Sequence, residues 1–144
     1  MLGMRNTNCK KRKRSSVVLE LAGAILLVEA RDGLLLLPGG GQGDDESAIE
    51  AAVRELREET TLMASVANFL FRHESPSNMH SVFWAIADGT PEARDDAVRI
   101  HLYRGEVALA QKMSPATLAI VEEFQRLQAA EPELFRLRQV RTTA

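Results

Sequence analysis

Cysteine is almost absent: Cys9 is the only one in 144 residues, so no disulfide can form within the chain. That scarcity fits a reducing compartment, and a cytoplasmic location is expected. Long apolar runs are missing too. The most apolar stretch, VVLELAGAILLVEA at residues 17–30, is interrupted by Glu20 and is too short to cross a membrane. Lying behind basic residues, it superficially has the form of a signal peptide. The same segment also suits two strands joined at Ala22 and Gly23, and cleavage after Ala30 would delete both, so secretion is not expected. A strong net charge is lacking as well. Eighteen Lys and Arg against twenty Asp and Glu leave a formal charge of -2, which argues against a general nucleic-acid binder and against an acidic tail protein. No internal repeat is visible. What remains is a chain 45% hydrophobic and 26% charged, long enough for one globular domain with its own core.

Charge is nevertheless uneven. Lys10, Lys11, Arg12, Lys13 and Arg14 form a basic run ahead of the first apolar segment. The expectation is a disordered, solvated arm over residues 1–15. Its sharper alternative is an electrostatic contact with RNA, a membrane or substrate phosphate. Strands are expected at residues 16–21, 24–29 and 34–37, the last feeding a glycine-rich loop. Further strands are expected at 66–71, 81–87 and 98–103. Ser114 followed by Pro115 starts a helix reaching about Ala129, with Leu118, Val121, Phe124 and Leu127 inward. Phe83 and Trp84 alternate on one strand, and the folded domain should span residues 16–130. Residues 131–144 then form a tail or a short packed helix.

The densest chemistry lies at residues 38–62, PGGGQGDDESAIEAAVRELREETTL. Ser47 with Glu50 three residues later has the form of a capping box, which starts a helix at about Ala48. Ile49, Ala52, Val53, Leu56 and Thr60 recur at helical spacing and should be buried. At about 100° per residue, Glu55, Glu58 and Glu59 share an arc of roughly 100° bordering that stripe. Ala48 and Ala51 fall on the same arc, where small side chains leave room for a ligand. Clustered carboxylates three and four residues apart repel one another. Arg54 and Arg57 offset part of this, and a divalent cation would offset more, with hard oxygen ligands suiting Mg²⁺ or Mn²⁺. A P-loop is excluded, because the glycines are not followed by Lys and Ser or Thr.

In this stretch Gly40 is followed after five residues by Glu46, and after seven more by Arg54-Glu55-Leu56-Arg57-Glu58-Glu59-Thr60-Thr61-Leu62. The pattern resembles the signature box of the Nudix (MutT-like) hydrolases, with Thr61 in place of the second glycine. Asp45 likewise stands where relatives usually have glycine. The resemblance implies an α/β fold, the α/β/α sandwich with a mixed β-sheet, and cleavage of a pyrophosphate bond in a nucleoside diphosphate linked to a group X. It also implies Glu55, Glu58 and Glu59 as metal-facing carboxylates, the Gly39 carbonyl as a further ligand, and Arg54 and Glu46 as their supports. Gly40 and Gly41 would approach the substrate. Asp95, Asp96 and Glu106 are candidates for an extra acid that relatives often supply before the last strand. Thr61 should resist the left-handed helix end that glycine allows, altering the local geometry.

The expected activity is therefore a Mg²⁺-dependent pyrophosphohydrolase of a small nucleotide, with Mn²⁺ as substitute. A nucleoside triphosphate or modified nucleotide leads as substrate, with ADP-ribose as the alternative, suggested by Pro76 fourteen residues beyond Leu62. A non-catalytic nucleotide- or RNA-binding module, using residues 10–14 as its arm, is the competing reading. His73 and His80, flanking the Pro76 turn, are expected at the surface. No membrane partner is expected. Homodimerisation stays open, because the apolar segment 24–28 could serve a core or an interface.

Overall fold

A computed structural model describes residues 10–136, so Cys9 and the expectations for the two ends beyond those limits lie outside the described residues. Strand β1 (Arg12–Leu21) turns tightly into β2 (Ala24–Glu29), with Glu20 opposite Ile25 and Leu21 opposite Ala24. Ala22 and Gly23 make the turn at φ 51° and 81°, the left-handed pair that matches the twist of a two-residue hairpin. Before that turn β1 follows different neighbours. It runs parallel to β6 (Asn78–Asp88), from Arg12 opposite Asn78 to Leu19 opposite Ala85. On its other side it pairs antiparallel with β4 (Gly39–Gly41). β6 continues to β5 (Met63–Glu74), while β2 carries β3 (Leu35–Leu36) and β7 (Arg99–Tyr103). One parallel pairing among antiparallel ones makes the sheet mixed.

Alternation along the central strands divides the apolar residues between two cores. Val17, Leu19, Phe83, Ala85 and Ala87 pack with Ala52 and Leu56 of helix α1 (Ala48–Thr60). Val18, Val82, Trp84 and Ile86 pack with Ile120, Val121 and Phe124 of helix α3 (Pro115–Ala130). Each fully buried Leu, Val, Ile or Phe contributes about 1.5–3 kcal/mol. The helices thus lie on opposite faces of the sheet, as the α/β/α expectation requires. Phe83 and Trp84 both enter a core, one on each side, and residues 24–28 are all buried within this chain.

Several local expectations are corrected. Residues 12–15 are not an arm. They begin β1, because their backbone finds partners on both sides: Arg14 lies between Gly41 and His80, and the Arg12 N–H donates to the Ser77 carbonyl at 3.0 Å. The glycine loop is partly strand, β4. Strands β5 and β6 extend beyond the expected limits and form one long hairpin. Helix α1 does start at Ala48, with both bonds of the Ser47–Glu50 capping box present. Its inward face is rotated, however: Ala51 is buried and Ile49 is 43% exposed. Two alanines let the helix sit close to the sheet, close enough for the Ser15 hydroxyl to donate to the Ala48 carbonyl at 2.7 Å. Helix α3 is shifted similarly, with Thr117 and Ile120 buried beside Val121 and Phe124. Leu118 and Leu127 are left half-buried at its flank. A short helix α2 (Val107–Ala110), not foreseen, precedes α3. A 3-10 turn (Pro132–Phe135) follows it and lays Phe135 edge-on against Trp84 and Phe124, with centroids 5.1 and 5.4 Å apart.

Candidate active site

The site lies where β4, the loop after it and α1 meet. Gly39 must be glycine for steric reasons: a Cβ there would stand 2.1 Å from the Ser15 carbonyl oxygen of the paired strand. A Cβ at Gly40 would meet the Glu55 carboxylate at 2.3 Å. The two glycines therefore let β4 lie against β1 while the carboxylate closes over the backbone. The loop then turns back through Glu46, which accepts from the Gly43 N–H at 2.9 Å.

Arg54 gathers these pieces. Its Nε and Nη2 donate to the two Glu46 oxygens at 2.6 and 2.9 Å, a bidentate pair. Nη2 also donates to the Gly41 carbonyl at 3.1 Å, and Nη1 is shared between Glu55 and Glu58 at 3.1 Å each. One guanidinium thus ties the loop to two helix carboxylates. The hydrogen bonds from Arg54, aided by the Gly43 N–H, hold the Glu46 carboxyl down to about 2. The same bonds to Glu46, and more weakly to Glu55, raise Arg54 above its ordinary range.

Glu59 has a different setting. It accepts from the Gly39 N–H at 3.1 Å, yet burial pushes its carboxyl up to about 7. The charges of Glu55 and Asp96 push the same way, opposed by the Gly39 N–H and the Arg14 charge. A carboxylate forced toward its neutral form beside another carboxylate is a place where positive charge would be stabilising. Among the described residues, no three His, Cys, Asp or Glu side chains stand together as a metal site, and Arg54 donates to both Glu55 and Glu58. The donor set itself, carboxylates with a backbone carbonyl at hand, fits a hard divalent cation.

Asp96 is near enough for its charge to act on Glu59, while Asp95 is exposed at φ 54° in the loop before β7. Glu106 accepts from the Arg104 N–H at 2.7 Å in its own turn. Thr61 does not avoid the left-handed region. It takes φ 68° as the C-cap of α1, and its N–H donates to the Arg57 carbonyl, so the glycine's conformation is kept without the glycine.

A cavity of about 360 Å³, within the range of small-molecule sites, opens on the α3 side of the sheet and is linked to this cluster through Arg14, which lines it and reaches the Gly39 carbonyl at 3.4 Å. Arg14, Ser16, Leu37, Pro76, His80 and Thr117 are among the residues lining it. His80 is 5% exposed, which corrects the surface expectation. It lies within hydrogen-bond reach of the Ser16 hydroxyl at 3.3 Å and the Ser75 hydroxyl at 3.4 Å. Burial, then the charges of Arg14 and His73, press its pKa down to about 4, so it is neutral near pH 7. Arg14 and Ser16 were not expected to line a cavity; strand alternation carried back into the basic run puts both on one face, whereas His80 joins them only through the pairing of β6 with β1.

The NUDIX domain family profile matches residues 10–136. The chain is 32% identical over 127 residues to the CTP pyrophosphohydrolase of Escherichia coli K12, covering 81% of this chain and 93% of that one. Among solved structures, a Chromobacterium violaceum protein assigned to the nudix hydrolase family superposes with a TM-score of 0.80 at 28% identity, covering 90% of this chain and 89% of that one. A bifunctional NMN adenylyltransferase/ADP ribose pyrophosphatase from Francisella tularensis, complexed with AMP and Mn ion, shares the fold at TM-score 0.71 and 18% identity. That likeness covers 87% of this chain and 44% of the other. Members of this family generally use divalent metals and bind nucleotides. The fold, the glycine strand and the Arg54-centred glutamates agree with these likenesses: the chain belongs to the Nudix hydrolase family.

Proposed function

We propose that this protein is a Mg²⁺-dependent pyrophosphohydrolase of nucleoside triphosphates or their modified forms, with Mn²⁺ able to replace Mg²⁺. The observation that carries this is the glutamate cluster tied by Arg54 to the glycine strand, joined through the Arg14–Gly39 contact to a cavity of about 360 Å³ lined by mixed polar and apolar groups. Glu55, Glu58, Glu59 and the Gly39 carbonyl would hold the ion. When bound, such an ion neutralises phosphate charge and lowers the pKa of a water. Arg54 and Glu46 position the carboxylates and the loop, as partners behind metal ligands do. The cavity takes the nucleoside, where neutral His80 offers one donor and one acceptor. Likeness to a CTP pyrophosphohydrolase supports a triphosphate substrate, so CTP is the first nucleotide to test.

Nucleoside triphosphates, oxidised nucleotides, ADP-ribose and dinucleoside polyphosphates, each incubated with Mg²⁺, test the reading by product analysis. Release of a nucleoside monophosphate and pyrophosphate from a triphosphate is expected. Glu58→Gln or Glu59→Gln should lower kcat by about 10²-fold or more, as loss of a metal-holding carboxylate does. Absence of turnover across the panel, or full activity in both variants, would sink it.

A further inference from the structure

Strand register decides where the basic run points. Ser15 and Val17 of β1 face α1: the Ser15 hydroxyl donates to Ala48, and Val17 packs in the core with Leu56. Ser16 faces the cavity and Val18 the α3 core. By the same alternation Lys13 falls on the α1 side, while Arg12 and Arg14 fall on the cavity side, opposite Asn78 and His80 in the parallel pairing.

Arg14 is half-buried in the cavity wall. Unlike Arg54, it has no carboxylate within ion-pair distance among the described residues. Its one hydrogen bond there is a long contact, from Nη2 to the Gly39 carbonyl at 3.4 Å. A guanidinium has five N–H donors in a fork suited to phosphate. Removing one from water without an anionic partner is unfavourable, so an anion supplied from outside would be held well. Its location fixes which anion. At one end Arg14 touches Gly39, whose N–H holds Glu59; at the other it lines the cavity together with His80.

We propose that Arg14 is a substrate-binding residue whose guanidinium takes the phosphate joining the nucleoside in the cavity to the bond cut beside the glutamates. Arg12, on the same face two residues nearer the strand start, adds a weaker, screened attraction for the incoming polyanion. This assignment rests on the nucleotide-hydrolase reading above and adds to it the residue that bridges its two halves.

The test compares full-length wild type with Arg14→Met, which keeps the packing of the stem, Arg14→Lys, which keeps the charge without the fork, and Lys13→Ala on the opposite face. Binding of an α,β-methylene nucleoside triphosphate is measured by calorimetry with Mn²⁺ present. Mn²⁺ binding without nucleotide is measured by electron paramagnetic resonance, and kcat/KM on the best substrate of the panel. In Arg14→Met, analogue affinity and kcat/KM should fall by about 10- to 100-fold, the size of lost charged hydrogen bonds, with Arg14→Lys intermediate. Mn²⁺ affinity in these variants, and every property of Lys13→Ala, should stay within about twofold of wild type. Analogue binding unchanged in both Arg14 variants would overturn the proposal. So would a parallel loss of Mn²⁺ binding, which would make Arg14 a positioning residue for the Gly39 carbonyl. A wild type that turns over nucleotides while the variants match it refutes the Arg14 role alone. A wild type that neither binds nor cleaves any nucleotide refutes the functional reading, and this assignment with it.

Discussion

Thr61 closes α1 at φ 68°, a region that costs an L-residue roughly 1–2 kcal/mol and suits a β-branched side chain least. The strain is tolerated because the cap still donates its N–H to the Arg57 carbonyl and the chain must turn at once into β5. Thr61→Gly should therefore raise stability by about 0.5–1 kcal/mol, the relieved strain less the extra entropy glycine gives the unfolded chain. Urea unfolding of the metal-free protein measures it, and a lower midpoint in the variant would refute the strain account. Arg54 and Arg14 show the same residue type in two roles. One uses its donors on Glu46, Glu55, Glu58 and Gly41 and organises the site. The other makes a single long contact to a carbonyl. Sequence spacing distinguished Arg54, because its partners are local; Arg14 looked like one more charge in a run.

At the level of elements, β4 is the piece on which the site depends. Three glycines pair with Arg14, Ser15 and Ser16, and only the first is hemmed in by backbone. Gly39→Ala should cost about 1–3 kcal/mol, as overpacking does, because its Cβ would lie 2.1 Å from the Ser15 oxygen and must force β4 off β1. Hydrolysis should fall with it. Gly41→Ala meets nothing within 4 Å and should change stability by less than about 0.5 kcal/mol. Thermal melts of the two variants check the contrast; equal loss in both would show that the glycines act through flexibility instead of space. The start of α1 was legible down to its first residue, since a capping box is a purely local device. Its buried face was not. Which of Ile49 and Ala51 turns inward depends on how near the sheet lies.

Across the described residues, two cores hold α1 and α3 against one sheet, and the 3-10 turn after α3 closes that side. Phe135 covers Trp84, the only tryptophan, at 5.1 Å. Phe135→Ala should lower stability by about 1–2 kcal/mol and shift Trp84 emission to the red, because half-buried aromatic area is lost and water reaches the indole. An unshifted emission spectrum would show that the turn does not seal this core. No described helix is long and apolar enough to cross a membrane. The β5–β6 hairpin was placed roughly by alternation, but its full length came from cross-strand pairing that no short window of sequence contains.

Signals that act within a few residues were sufficient in the sequence by itself. The box of glycines, glutamates and arginine identified the family, and the caps at Ser47 and Ser114 located both long helices. Tertiary structure alone decided where the basic run goes. Residues 12–14 are strand only because β4 and β6 supply hydrogen-bond partners 25 and more residues away, and only that register turns Arg14 toward the cavity and Lys13 away from it. It also decided that His80 is buried and neutral, because burial depends on which side chains arrive from other strands and helices. Local chemistry is written in spacing; the choice of face is made by pairing over distance.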